Sequence, residues 1–421
     1  MNIYFYPKGG IIMKKVVVSL FLVLALVTGI SKEKVTVWFA GTTKSFMDVV
    51  ESQIVPEFEE KNPDIDMVVD FVPWGELSTK LMTAFAGGIG PDIFMHGQAA
   101  VAGFAEKELI LPLDEYLSQI ENSDDFGTAL NVGTYKGKTY FIPVFGSGRL
   151  LAYRKDFFKR AGLDPNEPPV TWEQLKAFAV ATTEWQGSRL KIAGLDLPVS
   201  GIDLQQVWTM FLIANGGRLF DEEFNPIFNG PEGTEALQFY VDLIRKHKVT
   251  SEYGLSAVGN LEPIAAGTAA MAFVTSESMS AFKKYAPDAF DNIQLCLSPA
   301  RYTKAAFYSF AGFMVSRTTK NLDSTIKVLS HLTSKDSIIK INSSLGGIPP
   351  RQSAAEASFV SSDPVIKMFV LGTKYAFGNP NVPFWVQARD ILSKYLEQAI
   401  RGVVNPKEAL DKAAEEIKKL K

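Results

Sequence analysis

Short apolar segments alternate with longer amphipathic segments through the first part of the chain, and this alternation restricts the fold most. Residues 35–39, 65–72 and 91–94 have the apolar, β-branched character of strands. Between them, residues from Ser45 onward and residues 77–86 place apolar side chains on one helical face. Consecutive strand–helix–strand units form a mostly parallel, doubly wound sheet. The sequence therefore predicts an α/β fold.

The N-terminal segment has the pattern of a secretory signal. Lys14 and Lys15 precede an apolar run at 16–27, and the small residues Gly29 and Ser31 follow it. We expect residues 1–31 to be an upstream extension plus a signal peptide. No cysteine follows the apolar run, so no lipobox is predicted. The expected location is periplasmic or extracellular, with the protein either released or tethered by an uncleaved signal.

Charge and residue counts disfavour several classes of function. The net charge of −3 and the lack of a long basic run argue against nucleic acid as a partner. Cys296 is the single cysteine, and the three histidines are far apart in sequence, so no metal site is predicted. The glycines at 87, 88 and 90 lack the lysine of a phosphate-binding loop. No cofactor is predicted, and Cys296 is expected to be a small buried side chain.

Several short motifs resemble one known family in their order and spacing. They are Gly-Pro-Asp-Ile-Phe at 90–94, Leu-Pro-Leu-Asp at 111–114, Tyr-Arg-Lys-Asp at 153–156, Thr-Trp at 171–172, Asn-Gly-Gly at 215–217, Gly-Thr-Ala-Ala-Met at 267–271 and Gly-Gly-Ile-Pro at 346–349. Together they resemble family 1 of the extracellular solute-binding proteins, the maltose-binding-protein-like receptors of sugar importers.

The resemblance implies two doubly wound α/β lobes of discontinuous sequence joined by a hinge, the class II periplasmic-binding-protein arrangement. The first lobe would comprise 32–143 and 309–350, and the second 149–305 and 355–421. The chain would cross between them at 144–148, 306–308 and 351–354. The family also implies a sugar or polyol ligand, an inner-membrane ABC permease as partner, and a monomer.

A sugar site needs both flat apolar surfaces and oriented polar groups. Tryptophan can cover the C–H face of a sugar ring, and each buried hydroxyl needs a hydrogen-bond partner. The positions that match the family's ligand-contacting segments give the following candidates: Thr42, Thr43, Trp74, Glu76, His96, Gln98, Ser147, Arg149, Gln206, Trp208, Glu277, Gly312, Arg351 and Trp385. The competing interpretations are core packing for the tryptophans, tight backbone packing for Gly312, and ordinary surface or loop positions for the polar residues.

Two other functions are compatible with the same sequence. An exported glycan-active hydrolase would need two carboxylates about 5–10 Å apart across the sugar, and a sequence does not fix that separation. A sugar receptor for a signalling system would have the same two-lobed clamp and differ only in its partner. The family resemblance favours a transport receptor that performs no reaction.

Overall fold

The computed structural model describes residues 32–421, so the predicted signal segment at 1–31 lies outside the described residues. The strands are β1 Glu33–Ala40, β2 Ile65–Val72, β3 Ile93–Gly97, β4 Thr134–Tyr135, β5 Lys138–Thr139, β6 Ile142–Arg154, β7 Glu184–Gln186, β8 Arg189–Ile192, β9 Met271–Thr275, β10 Ile293–Cys296, β11 Ala306–Val315 and β12 Ala376–Phe377. The first three strands confirm the sequence prediction closely.

The helices lie between the strands along the chain. They are α1 Lys44–Val49, α2 Val55–Lys61, α3 Trp74–Ala86, α4 Val101–Glu106, α5 Lys155–Arg160, α6 Trp172–Thr182, α7 Gly201–Ala214, α8 Pro231–Arg245, α9 Ser276–Tyr285, α10 Pro287–Phe290, α11 Leu322–Leu332, α12 Lys335–Leu345, α13 Gln352–Ala355, α14 Ser358–Ser362, α15 Pro364–Gly372, α16 Trp385–Ile400 and α17 Pro406–Lys418. A π-helical turn at Val50–Ile54 separates α1 from α2, just before Pro56.

Two helices begin at capping motifs that are visible in the sequence, Thr-x-x-Gln at 171–174 and Asn-Pro at 405–406. The Thr171 hydroxyl accepts the Gln174 N–H at 3.2 Å, and the Gln174 side chain accepts the Thr171 N–H at the same distance. Asn405 Oδ1 accepts the Glu408 N–H at 2.9 Å, with Pro406 in the first turn of α17. These caps satisfy N–H groups that have no partner inside the helix, which fixes where α6 and α17 begin.

The main sheet has eight strands and is only partly parallel. Strands β2, β1 and β3 are parallel neighbours, as consecutive βαβ units require. Strand β11 then pairs antiparallel with both β3 and β6, and β6 pairs antiparallel with β9 and β10. The expectation of a mostly parallel sheet therefore holds for the first three strands. It fails around β6 and β11 because these long strands continue from one half of the molecule into the other.

Separate apolar cores lie on either side of these two strands. One core combines residues of 35–145 with residues of 311–354. The largest other core is built almost entirely from residues 151–307 and 382–417, and a smaller one lies beside it. Cys296 is buried, as predicted. Each of these two cores therefore combines two stretches that are separated in sequence, and the exact lobe boundaries stay a prediction.

Of the three predicted crossings, residues 144–148 belong to the interior of β6 and residues 306–308 begin β11. Residues 351–354 lead into the short helix α13. Just before them, Ile348 lies beside β6, where its N–H and C=O pair with Gly146 at 2.8 and 2.7 Å. The halves are therefore connected by a narrow band of hydrogen-bonded backbone.

Candidate binding cleft

A cavity of about 630 Å³ lies between the two cores. Its walls come from three places: the ends of β1, β2 and β3 in the first half, the starts of α7 and α9 in the second half, and the middle of β6 and β11. The carboxyl ends of parallel strands are where open α/β sheets place their ligand sites. Both halves therefore contribute walls to one cleft.

An exposed tryptophan forms part of the first wall. Trp74 is the first residue of α3, directly after β2, and 40% of its surface is exposed. Gly41, at the end of β1, has φ of +99°, and a Cβ atom there would lie 3.2 Å from the Trp74 Nε1 atom. A glycine at 41 thus lets the indole lie against the backbone with an open aromatic face in the cavity.

His96, at the end of β3, is a buried neutral histidine on the same wall. Its Nδ1 accepts the Gly97 N–H at 2.8 Å, so Nε2 carries the proton and donates to Ser78 Oγ at 3.1 Å. Burial lowers the pKa of His96 to about 4, with a further contribution from the positive charge of Arg389. The imidazole is therefore uncharged at neutral pH, and its ring meets Trp74 edge-on at 6.5 Å.

Two side chains from β6 connect the wall of the crossing strands to the second half. Ser147 Oγ donates to Glu277 Oε2 at 2.6 Å, and Glu277 lies in the first turn of α9. Arg149 is 7% exposed, and its Nη2 group donates to Asp203 at 2.5 Å and to Gln206 at 3.1 Å. Arg149 Nε is buried and has no hydrogen-bond partner among the described residues.

The second wall concentrates acidic side chains. Glu262 Oε1 accepts the Ser278 hydroxyl at 2.6 Å. Loss of hydration raises the pKa of Glu262, although its hydrogen bond from Ser278 and the charge of Arg149 lower it. The charges of Asp203 and Glu277 also raise it. Burial, followed by the charges of Glu262 and Asp203, raises the pKa of the neighbouring Asp196 to about 7. The raised pKa values mean that ionisation of Glu262 and Asp196 costs free energy in the folded protein.

Eight of the fourteen predicted site residues line the cavity together. They are Thr43, Trp74, His96, Ser147, Arg149, Gln206, Glu277 and Trp385. Trp385 differs from the predicted loop residue, because it begins α16 and only 2% of it is exposed. Its ring packs against Phe220 at 6.3 Å, so most of it belongs to the core and only its edge borders the cavity.

Trp208 and Gly312 are corrections to the prediction. Trp208 lies in the middle of α7, is fully buried and packs against Phe228, so it is a core residue. The backbone of Gly312 is held against the neighbouring strand, where a Cβ atom would lie 2.1 Å from the Ile142 carbonyl oxygen. The glycine is needed for strand packing, and neither residue lines the cavity.

Arg351 is a third correction, because it is a buried structural cation. Its side chain is fully buried and donates to the carbonyl oxygens of Thr333, Asn122 and Glu121 at 2.7, 2.8 and 2.5 Å. The guanidinium also lies 4.1 Å above the centre of the Phe126 ring. The residue joins three segments of the first half and does not reach the cavity.

The remaining three candidates lie beside the cavity without lining it. Thr42 and Glu76 are exposed, and Glu76 occupies the first turn of α3, where the helix dipole favours an acid. Gln98 Oε1 accepts the Phe310 N–H at 3.0 Å, and its side chain borders a different cavity, shared with Glu106 and Asn381. The structure does not bring any of the three to the cavity wall.

Several lining residues were not predicted. Arg389 lies one helical turn after Trp385 on α16, so the i, i+4 spacing was a usable signal. Asp203 lies in the first turn of α7, three residues before the predicted Gln206. Glu262 and Asn379 come from irregular segments where no periodicity marks them. Asn379 Oδ1 is buried and unpaired among the described residues.

Residues 32–421 contain neither a metal-binding cluster nor a membrane-spanning helix. No three side chains of His, Cys, Asp or Glu there are grouped so that they could hold a metal ion. Within the same range, no helix combines the length and apolar character needed to cross a bilayer.

These features define a class of protein. A mixed α/β chain with two cores, three adjacent backbone connections and a cavity between its halves is a two-lobed binding protein of the class II periplasmic type. The model of the bacterial extracellular solute-binding protein family matches residues 40–338, and the chain belongs to this family.

Relatives and solved structures agree with this assignment. A putative binding protein of Brucella abortus is 24% identical over 86% of this chain and 87% of its own length. A mannitol-binding protein of Pseudomonas aeruginosa is 29% identical over 45% of this chain and 43% of its own length. An ABC transporter solute-binding protein of Thermotoga lettingae, solved with α-D-tagatose, superposes with a TM-score of 0.82 at 27% identity and covers 92% of this chain and 99% of that one.

Proposed function

We propose that the protein captures a sugar or polyol in the cleft between its lobes, closes around it and delivers it to an ABC permease. It acts outside the cytoplasmic membrane, as a monomer, and returns its ligand chemically unchanged. The observation that carries this proposal is the exposed Trp74 ring, which shares one cavity with hydroxyl, carboxylate and amide groups from both halves.

The cavity offers the two kinds of contact that a polyhydroxy compound needs. The Trp74 face suits the C–H surface of a sugar ring. Ser147, Glu277 and Gln206 place hydroxyl, carboxylate and amide groups on the same cavity. A ligand hydroxyl can pair with each of these groups, because a hydroxyl both donates and accepts. Binding would therefore add hydrogen bonds to the aromatic contact.

Closure follows from the distribution of these contacts. Trp74 and His96 belong to the first half, whereas Gln206 and Glu277 belong to the second. A ligand touches both sets fully only when the halves approach, so its higher affinity for the closed form shifts the population toward it. A permease can then distinguish loaded from empty receptor by shape.

The ligands of relatives support a polyhydroxy compound. Names and structures in the family include maltotriose, mannitol, tagatose and mannotriose as bound or transported solutes. These proteins are receptors, which supports binding without turnover for this chain.

The test is a binding screen of the purified protein against sugars and polyols by calorimetry. We expect saturable binding, recovery of the intact ligand by mass spectrometry, and compaction in small-angle scattering. Trp74→Ala is expected to weaken binding at least tenfold. Trp185→Ala is the matched control, because Trp185 is 44% exposed but lies outside the cavity. Product formation, or equal effects of the two substitutions, would contradict the proposal.

A further inference from the structure

The charged groups around the cleft are unequally distributed. Three carboxylates line it, those of Asp203, Glu262 and Glu277, against the guanidinium groups of Arg149 and Arg389. His96 adds no charge, because its ring is neutral. Among the described lining residues, the cavity thus carries more negative than positive groups.

The two guanidinium groups are already engaged. Arg149 pairs with Asp203 at 2.5 Å, and Arg389 pairs with Asp390 at 2.8 Å. Glu262 and Glu277, in contrast, accept hydrogen bonds from serine hydroxyls only, at 2.6–3.2 Å. Within residues 32–421, neither carboxylate has a cationic partner within 4.0 Å. An incoming anion would meet uncompensated negative charge and no free cation.

Helix starts do not offset this imbalance. The N-termini of α7 and α9 reach the cavity, and such ends normally attract anions. Each already has an acid in its first turn, Asp203 in α7 and Glu277 in α9. The positive end of each helix is therefore opposed by the chain's own carboxylate before any ligand arrives.

We propose that Glu262 and Glu277 select the charge of the ligand, so that the cleft accepts neutral or amino-bearing polyhydroxy compounds and excludes phosphorylated or carboxylated ones. This inference rests on the proposed function. The carboxylates accept hydrogen bonds from ligand hydroxyl or ammonium groups, while a phosphate or carboxylate in the same place would be repelled.

The experiment compares matched probes on the purified protein by thermal shift and calorimetry. The neutral probes are glucose, mannose, mannitol and maltose, and the amino probes are glucosamine and mannosamine. The anionic probes are glucose 6-phosphate, mannose 6-phosphate and glucuronate. We expect binding to be confined to neutral or amino probes, with each anionic counterpart at least tenfold weaker than its parent sugar.

Variants identify the groups responsible. Glu277→Gln and Glu262→Gln should each reduce the preference for a parent sugar over its phosphate at least threefold. Glu76→Gln, the control, removes an exposed acid outside the cavity and should leave the preference unchanged.

Anionic probes that bind as tightly as neutral ones overturn the inference while leaving the proposed function intact, as does an unchanged preference in both cleft variants. Failure of every probe to bind or to compact the protein counts against the proposed function, and this inference falls with it.

Discussion

Replacing Asp196 by asparagine is expected to stabilise the protein at neutral and alkaline pH. Asp196 follows β8, its N–H donates to the Met271 carbonyl at 2.8 Å, and its side chain lies beside the cleft acids. Burial, Glu262 and Asp203 raise its pKa to about 7 from an ordinary 3.8. The folded protein therefore holds this proton at pH values where the unfolded chain has released it.

The sign and size of the effect follow from linkage. Because the folded state binds more protons between pH 4 and 7, the free energy of unfolding falls as pH rises through this range. A pKa difference of about 3.2, at about 1.4 kcal/mol per pKa unit, corresponds to about 4 kcal/mol. Asparagine resembles the neutral acid in shape, so Asp196→Asn should remove this pH-dependent cost.

The assay is thermal and urea unfolding of both proteins from pH 4 to 8. We expect the stability difference between Asp196→Asn and wild type to be near zero at pH 4 and to approach about 4 kcal/mol at pH 8. Asp64→Asn, at an exposed position, is the control and should show no such trend. A difference that does not change with pH, or a variant less stable at pH 8, would refute the electrostatic reasoning.

Three further predictions concern stability. The pKa of His96, about 4, lies below the ordinary 6.5, so the unfolded chain takes up a proton that the folded protein does not. The free energy of unfolding of wild type should therefore fall by about 3 kcal/mol between pH 6.5 and pH 4, and His96→Gln should reduce this dependence on pH in urea titrations. Gly312→Ala should lower the free energy of unfolding by about 1–3 kcal/mol in urea titrations, whereas Gly75→Ala, where a Cβ meets no atom within 4 Å, should not. Arg351→Met should lower the free energy of unfolding by about 3–5 kcal/mol in urea titrations, because it removes the hydrogen bonds to buried carbonyl groups. The same substitution should leave ligand affinity in calorimetry unchanged.

Several elements could be predicted because local patterns determine them. Strand β2 runs over the predicted residues 65–72, and α6 and α17 begin at the capping motifs of Thr171 and Asn405. In each case the signal is a periodicity or a capping motif within a few residues. Such signals depend on neighbours in sequence and need no knowledge of the tertiary structure.

The errors at the site have a common cause in tertiary packing. Helix α7 is buried on most of its surface, so no periodicity reveals that Trp208 faces the core while Gln206 faces the cavity. A cation such as Arg351 is expected at the surface, yet carbonyl groups from distant segments surround it. Glu262 was missed because its position depends on an irregular segment that only the folded chain brings to the cleft.

The long strands β6 and β11, of 13 and 10 residues, continue without interruption from one half to the other. We expect these two strands to bend along their length when the halves move, instead of bending at a single flexible loop. A substitution that stiffens either ribbon would reduce the closed population by a fixed factor. The apparent affinity for every ligand would fall by the same factor, so the order of ligands by affinity would not change.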